Sequence, residues 1–142
     1  MKKLIPLVLL VSALFALNFN ALAGNDDDEL SAKIVGTWTT DPADLATISG
    51  TSTYKADGTG TKVMEQKGQL PGAAVRVTTK WSIKNGILTV RNIKSSNPKM
   101  LPEGVEVKER IIFIGDKRFV YEPYDTVAGK FTGKQKLRFR KD

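Results

Sequence analysis

The chain predicts an all-β fold, eight antiparallel strands closed into an up-and-down barrel behind a cleavable export signal. Three observations carry this. From Val75 to Lys84 the chain alternates without a break. Val75, Val77, Thr79, Trp81 and Ile83 share one face, and Arg76, Thr78, Lys80, Ser82 and Lys84 share the other. One buried and one wet face mark an antiparallel strand. Tight-turn sequences at Asp57-Gly58, Asn85-Gly86 and Gly115-Asp116 join consecutive strand-like runs, so neighbours in sequence should pair. The chain also has no Cys, so burial and strand pairing alone must hold it together. A meander of eight strands leaves two open edges unless the first pairs with the last, and closure removes both. An open β-sandwich of the same strands would need longer crossovers than these turns provide.

Each element follows in order. Lys2 and Lys3 precede the apolar run Leu4 to Leu17, and Ala21-Leu22-Ala23 supplies a small-x-small cleavage pattern. Residues 1–23 therefore read as a signal peptide cut after Ala23, which sends the chain to the periplasm or the medium. The run is short for a membrane span and no second one follows. Residues 24–32 form an acidic lead-in in which Asp28 is placed to cap a helical turn over Leu30 to Ile34. Asp26-Asp27-Asp28-Glu29 lacks the glycine and the alternating oxygens of a calcium loop, and reads as a solvated terminus. A single domain, residues 33–142, holds the strands.

Lys33 to Thr40 is the first strand, broken by Asp41-Pro42-Ala43-Asp44, and Leu45 to Ile48 reads as one helical turn. Gly50 to Ala56 and Thr59 to Gln66 flank Asp57-Gly58, where a type I′ turn is expected. Lys67 to Gly72 is a loop, Ala73 to Lys84 the alternating strand, and Ile87 to Ile93 its hairpin partner across Asn85-Gly86. Ser95 to Pro102 is a longer loop. Gly104 to Ile114 and Lys117 to Glu122 form the next hairpin, Pro123 to Gly133 an irregular connection, and Lys134 to Lys141 the closing strand.

The formal net charge is +7, unevenly spread. Residues 24–57 carry seven acids and two bases, whereas residues 134–142 carry five bases and one acid. Dispersed lysines of this kind keep a surface soluble, and no basic recognition helix or RNA-binding signature accompanies them, so nucleic acid is not an expected partner. There is no His and no Cys. Imidazole bases, thiol nucleophiles and ordinary zinc sites are therefore out of reach. No catalytic residue, metal site or cofactor is expected.

Gly36-Thr37-Trp38, at the start of the first strand, resembles the opening strand of lipocalins and their calycin relatives. Tyr54, Asp57, Gly58 and Gly60, then Trp81 before Asn85-Gly86, resemble the small bacterial lipocalin-like domains over residues 33–93. The resemblance implies that Gly36 and Trp38 close one barrel end, with Arg138 or Arg140 of the last strand packed across the indole. Two features depart from the eukaryotic lipocalin pattern: there is no disulfide, and no Thr-Asp-Tyr motif in the middle strands. Fatty-acid-binding proteins of the same group use an Arg-x-Tyr pair on the last strand as a carboxylate clamp, but this chain has Arg138-x-Arg140.

The expected ligand is a small hydrophobic or amphipathic molecule, and the residues expected to meet it are Glu109, Tyr121, Tyr124, Phe131 and Arg140. Glu109 shares a face with Val105, Val107, Ile111 and Phe113, so it points into the barrel if that face is internal. If Ile112 and Ile114 face inward instead, it lies on the surface beside Lys108 and Arg110. Arg138 and Arg140 alternate with Leu137 and Phe139, and both face outward if those apolar residues face the core. Tyr124 and Phe131 flank the loop before the last strand and are placed to line a mouth. A protein partner is the alternative, met through Lys67 to Gly72 and Ser95 to Pro102 by a barrel with a filled interior.

Overall fold

The computed structural model describes residues 26–41, 48–66 and 73–142. The expected signal peptide, the break and helical turn between Pro42 and Thr47, and the Lys67 to Gly72 loop lie outside these residues. A helix, α1 (residues 26–34), leads into strands β1 (Gly36–Thr40), β2 (Ile48–Tyr54), β3 (Thr59–Gln66) and β4 (Val75–Lys84). Strands β5 (Ile87–Ser95), β6 (Glu106–Ile114) and β7 (Arg118–Asp125) follow, then the two-residue β8 (Lys130–Phe131) and β9 (Lys136–Arg140). Strands β1 to β7 pair each with the next, β7 pairs with β9, and β9 returns to β1, all antiparallel. The result is a closed eight-stranded barrel, with β8 a short addition on β7. Among the described residues no helix is long and apolar enough to cross a membrane.

The tight turns all fall at one end of the barrel, and α1 plugs that end. Asn85, with φ of 52°, and Gly86, with φ of 71°, form the type I′ turn that joins β4 to β5. The β2–β3 turn differs from expectation. Asp57 is not left-handed there, and only Gly58 has positive φ, 83°. Gly58 N–H donates to Lys55 O and Lys55 N–H to Thr59 O, giving a three-residue loop closed by a left-handed glycine. Asp57 fits because its carboxylate accepts from the Thr59 N–H (2.9 Å) and hydroxyl (2.6 Å), which hold its pKa below the usual carboxylate range.

Strand β1 starts at Gly36. The helical turn expected over Leu30 to Ile34 is present, but the helix begins earlier, at Asp26, so Asp28 lies inside it instead of capping it, and Lys33 and Ile34 are helical rather than the start of the strand. The cause is non-local. The Asp27 carboxylate accepts from both turn amides of the next hairpin, Asn85 N–H (2.7 Å) and Gly86 N–H (2.8 Å). Leu30 and Ile34, one helical turn apart, then drop into the barrel end against the cluster of Trp38, Tyr54, Leu88, Val90, Ile114, Phe119 and Tyr121. The indole of Trp38 is fully buried and meets Phe119 edge-on at 5.8 Å.

Strand β6 turns Glu109 inward, as in the first of its two readings, but Val105 and Phe113 do not share that face and Ile114 does. A β-bulge between Ile111 and Phe113 shifts the register. Below it Glu109 and Ile111 face inward, and above it Ile114 does, while Ile112 and Phe113 are each 46% exposed. One strand thus presents inward residues that no strict alternation could place on one face.

Candidate functional site

The register of β9 against β1 decides where its arginines go. Trp38 pairs with Arg140 and Thr40 with Arg138, and directly opposed residues share a face. Because Trp38 points inward, so do both arginines, and Leu137 and Phe139 lie on the outer wall. The condition under which both arginines would face outward, with the apolar pair in the core, is therefore not met. Phe139 is partly exposed, and its cross-strand neighbours are Thr39 and Arg118.

Arg140 sits at the plugged end. Its guanidinium lies 4.3 Å from the centre of the Trp38 ring. It donates to Val35 O (2.9 Å), Lys33 O (3.0 Å) and Asp116 O (2.7 Å), while the Trp38 indole donates to Ile34 O (2.8 Å). Three successive carbonyls at the C-terminal end of α1 are thus satisfied, two by a cation that also complements the helix dipole. Gly36 permits this. Its φ is 134°, and a Cβ there would overlap Arg140 Nη1. Arg140, expected both among the ligand-binding residues and as one of two candidates for the indole, is the residue on Trp38.

Arg138 lies further inside and forms the second arrangement. Its Nη1 and Nη2 donate to the two carboxylate oxygens of Glu109 at 2.7 and 2.5 Å, a bidentate pair with side chains 13% and 7% exposed. The same guanidinium stands 4.2 Å from the centre of the Tyr121 ring, and its Nη1 reaches the Tyr54 hydroxyl at 3.4 Å. Burial works against the Arg138 cation, but the Glu109 carboxylate outweighs it and raises its pKa. Burial pushes the Tyr54 phenol up to about 12, with Arg138 partly opposing.

Lys62 joins this group. It follows Gly60 on the inward row of β3 and pairs with Ser52 and Val77. Desolvation lowers its pKa, Glu109 pulls the other way, and Arg138 adds to the lowering. Among the described residues no carboxylate lies within ion-pair distance of its ammonium. One strand beyond β4, Asn92 of β5 is buried; its Nδ2 donates to Pro102 O (3.1 Å), and its Oδ1 has no partner among the described residues. A hollow of about 390 Å3 over β3, β4 and the end of β5 is lined mainly by the outward row of Thr61, Val63, Arg76, Thr78, Lys94 and Ser96, and so opens on the outer wall rather than the interior.

Glu109 and Tyr121 therefore come together inside the barrel. Tyr124 and Phe131 do not join them. They stack edge-on at 5.2 Å on the outer wall, where Arg110 covers Phe131 at 3.9 Å and pairs with Glu122 at 2.9 Å. The Ser95 to Pro102 loop is pinned to itself, with Asn97 Oδ1 accepting from Met100 N–H and Glu103 from Ser95 N–H. Sequence reasoning passed over Lys62, whose strand is polar on both faces. The register of the Asp57-Gly58 hairpin was the usable signal, since Tyr54 pairs with Gly60 and Lys62 is next on that face.

In this arrangement neither Glu109 nor Tyr54 is free to move a proton at neutral pH. Both oxygens of Glu109 are committed to Arg138, and the Tyr54 phenol stays protonated across the neutral range. No protein-family model matches the chain, and no curated protein matches it.

Proposed function

We propose that the chain is an exported, lipocalin-like binding protein of the calycin group that carries a small apolar or amphipathic ligand and catalyses no reaction. The supporting observation is a closed barrel plugged at one end by α1, with a charged cluster of Lys62, Glu109 and Arg138 above the packed floor. Barrels of eight strands leave room for one small ligand. The stacking of Arg140 on Trp38 beside Gly36 is the arrangement that the calycin resemblance implies. In this reading Glu109 and Tyr121 border the ligand space, and Arg138 holds Glu109 in place. Export follows from the signal-peptide pattern of residues 1–23, and the first residue of protein recovered from the periplasm or medium should be Gly24.

The test is direct. The mature protein is purified and extracted with solvent, and the extract is examined by mass spectrometry. In parallel, binding of the neutral dye N-phenyl-1-naphthylamine is followed by fluorescence. A bound lipid-like species, or dye fluorescence displaced by alkyl-chain compounds, is the expected result. An empty extract together with no dye binding would overturn the reading.

A second reading, a protein partner, is favoured by one feature of the outer surface. A groove of about 560 Å3 between α1 and the β6 bulge is floored by Leu30, Ile112 and Phe113 and edged by Asp26 and Glu29. An apolar floor with a charged rim is how many interfaces are built.

A further inference from the structure

We propose that the groove between α1 and β6 takes an extended segment of a partner protein, which adds to the open edge of β6 as a strand and carries Lys or Arg beside its apolar residues. The inference rests on the second reading above, a protein partner, and is independent of what the barrel holds. The residues around the groove show that it runs along a strand edge. Ile111, Ile112, Phe113 and Ile114 all border it. Ile111 and Ile114 turn toward the core, whereas Ile112 and Phe113 stand on the outer wall. Four consecutive residues whose side chains leave on opposite faces can meet one hollow only along the edge of their strand.

That edge is open because β5 is too short to cover it. The β5–β6 ladder ends with Ile87 opposite Arg110, followed by a last bond from Ile111 N–H to Gly86 O (2.9 Å). In a regular ladder the Gly86 N–H would return the bond to Ile111 O. Here it donates to Asp27 Oδ1 (2.8 Å), which leaves that carbonyl without its ladder partner. Among the described residues no strand lies beside Ile112 to Ile114 on this side. An exposed edge of this kind is a template for pairing with another chain. Extended peptides bind in this way, with main-chain hydrogen bonds supplying affinity and side-chain pockets supplying selectivity.

Shape and charge say what kind of segment fits. Asp26, Glu29, Leu30 and Lys33, three or four residues apart, bring one face of α1 along the opposite wall, and the Asn85-Gly86 turn borders the groove as well. The bulge puts Ile112 and Phe113 on the same side, so an apolar shelf follows the edge. At about 3.3 Å per residue the open stretch takes a segment of about four residues. Three acids, Asp26, Asp27 and Glu29, border the groove against one base, Lys33. The chain as a whole has a formal net charge of +7, so this groove is a local reversal of sign. A basic segment is drawn to it and an acidic one is repelled.

The experiment uses the full mature chain and a fluorescein-labelled peptide of six alternating Lys and Val residues, followed by fluorescence anisotropy. The peptide should bind saturably, and its Glu–Val counterpart at least about tenfold more weakly. A version methylated at every amide nitrogen keeps the side chains but has no main-chain donors, and should also bind about tenfold or more weakly. Ile112→Ser, on the exposed shelf, should weaken binding of the parent peptide several-fold while leaving the melting temperature unchanged. Asp26→Asn with Glu29→Gln should reduce the preference for the Lys peptide over the Glu peptide. Equal binding of the parent and methylated peptides would overturn strand addition while leaving the groove as a partner surface. Binding that Ile112→Ser does not alter would place the peptide elsewhere and overturn the proposal too. Self-association of the chain that is lost in Ile112→Ser would assign the groove to a second copy and overturn it. If neither peptide binds, the partner reading of the groove falls, and the proposal with it.

Discussion

Arg138 and Arg140 stand two residues apart on one strand, face the same way, and are held by opposite kinds of partner. Arg140 is satisfied by neutral groups: three backbone carbonyls and the face of Trp38. Arg138 is satisfied by a full negative charge, with Tyr121 and Tyr54 around it. The difference follows position in the barrel. At the plugged end the C-terminal carbonyls of α1 carry the helix's partial negative charge, and Arg140 neutralises it without needing an acid. Further in, no helix end among the described residues is within reach, and an isolated guanidinium would be untenable. The same residue type therefore serves as a cap in one place and as half of an ion pair in the other.

The sharpest way to break this comparison is to remove each guanidinium in turn. Arg138→Met leaves Glu109 buried and alone, and should lower stability by about 3–5 kcal/mol, the cost of breaking a buried pair from one side. Adding Glu109→Leu should return most of that loss, because a well-packed apolar pair of similar volume is near neutral. Urea denaturation of the two variants decides it. A double variant no more stable than the single would mean that Glu109 was never dependent on Arg138. Arg140→Met should cost less, about 2–3 kcal/mol, since the carbonyls it abandons lie near solvent. Here Glu109→Leu should give no rescue, and the two effects should add.

Gly36→Ala tests the cap from the other side, with a loss of about 1–2 kcal/mol. Part of that is backbone strain at φ of 134°, and part is the overlap with Arg140 Nη1. In an Arg140→Met background the steric part vanishes, so Gly36→Ala should cost measurably less there. An unchanged cost in both backgrounds would separate Gly36 from the arginine it faces.

How much of this was legible beforehand depended on whether the signal was local. The alternation of β4, the hairpins at Asp57-Gly58, Asn85-Gly86 and Gly115, and closure of the first strand on the last were all written in short stretches of chain. Helix α1 was legible only over Leu30 to Ile34; its first turn was not, because the anchor of that turn is a pair of amide groups some sixty residues away on the Asn85-Gly86 turn. The facing of β9 was left open for a related reason. Leu137 and Phe139 look like core residues, and only pairing with Trp38 and Thr40 shows that they cover the outer wall. Glu109 was read as either inward or outward because a bulge breaks the alternation that would have settled it. The interior charge was the least visible feature, since Lys62, Glu109 and Arg138 come from three strands and only closure brings them together.

The smallest effect bears on Lys62, which makes no ion pair among the described residues. Lys62→Met should raise stability at neutral pH by about 1 kcal/mol, the low end for replacing a buried charge with an apolar group of similar size. The sign with pH follows from the lowered pKa of Lys62 relative to its ordinary 10.5. Between the two values the unfolded chain holds a proton that the folded chain has released, so raising the pH favours the folded state through that window. Below the lowered value both states carry the charge, and its full burial cost opposes folding. The advantage of Lys62→Met should therefore be largest at neutral pH and shrink as pH climbs toward 10.5. Tyr54 works in the opposite direction, because its phenol ionises later in the folded chain and its contribution is lost as pH rises from about 10 to about 12. Both chains share Tyr54, so the difference between their melting curves at each pH isolates Lys62. A variant whose advantage is absent at neutral pH, or grows with pH, would show that the ammonium is well solvated, and would remove the contrast between Lys62 and the paired Arg138.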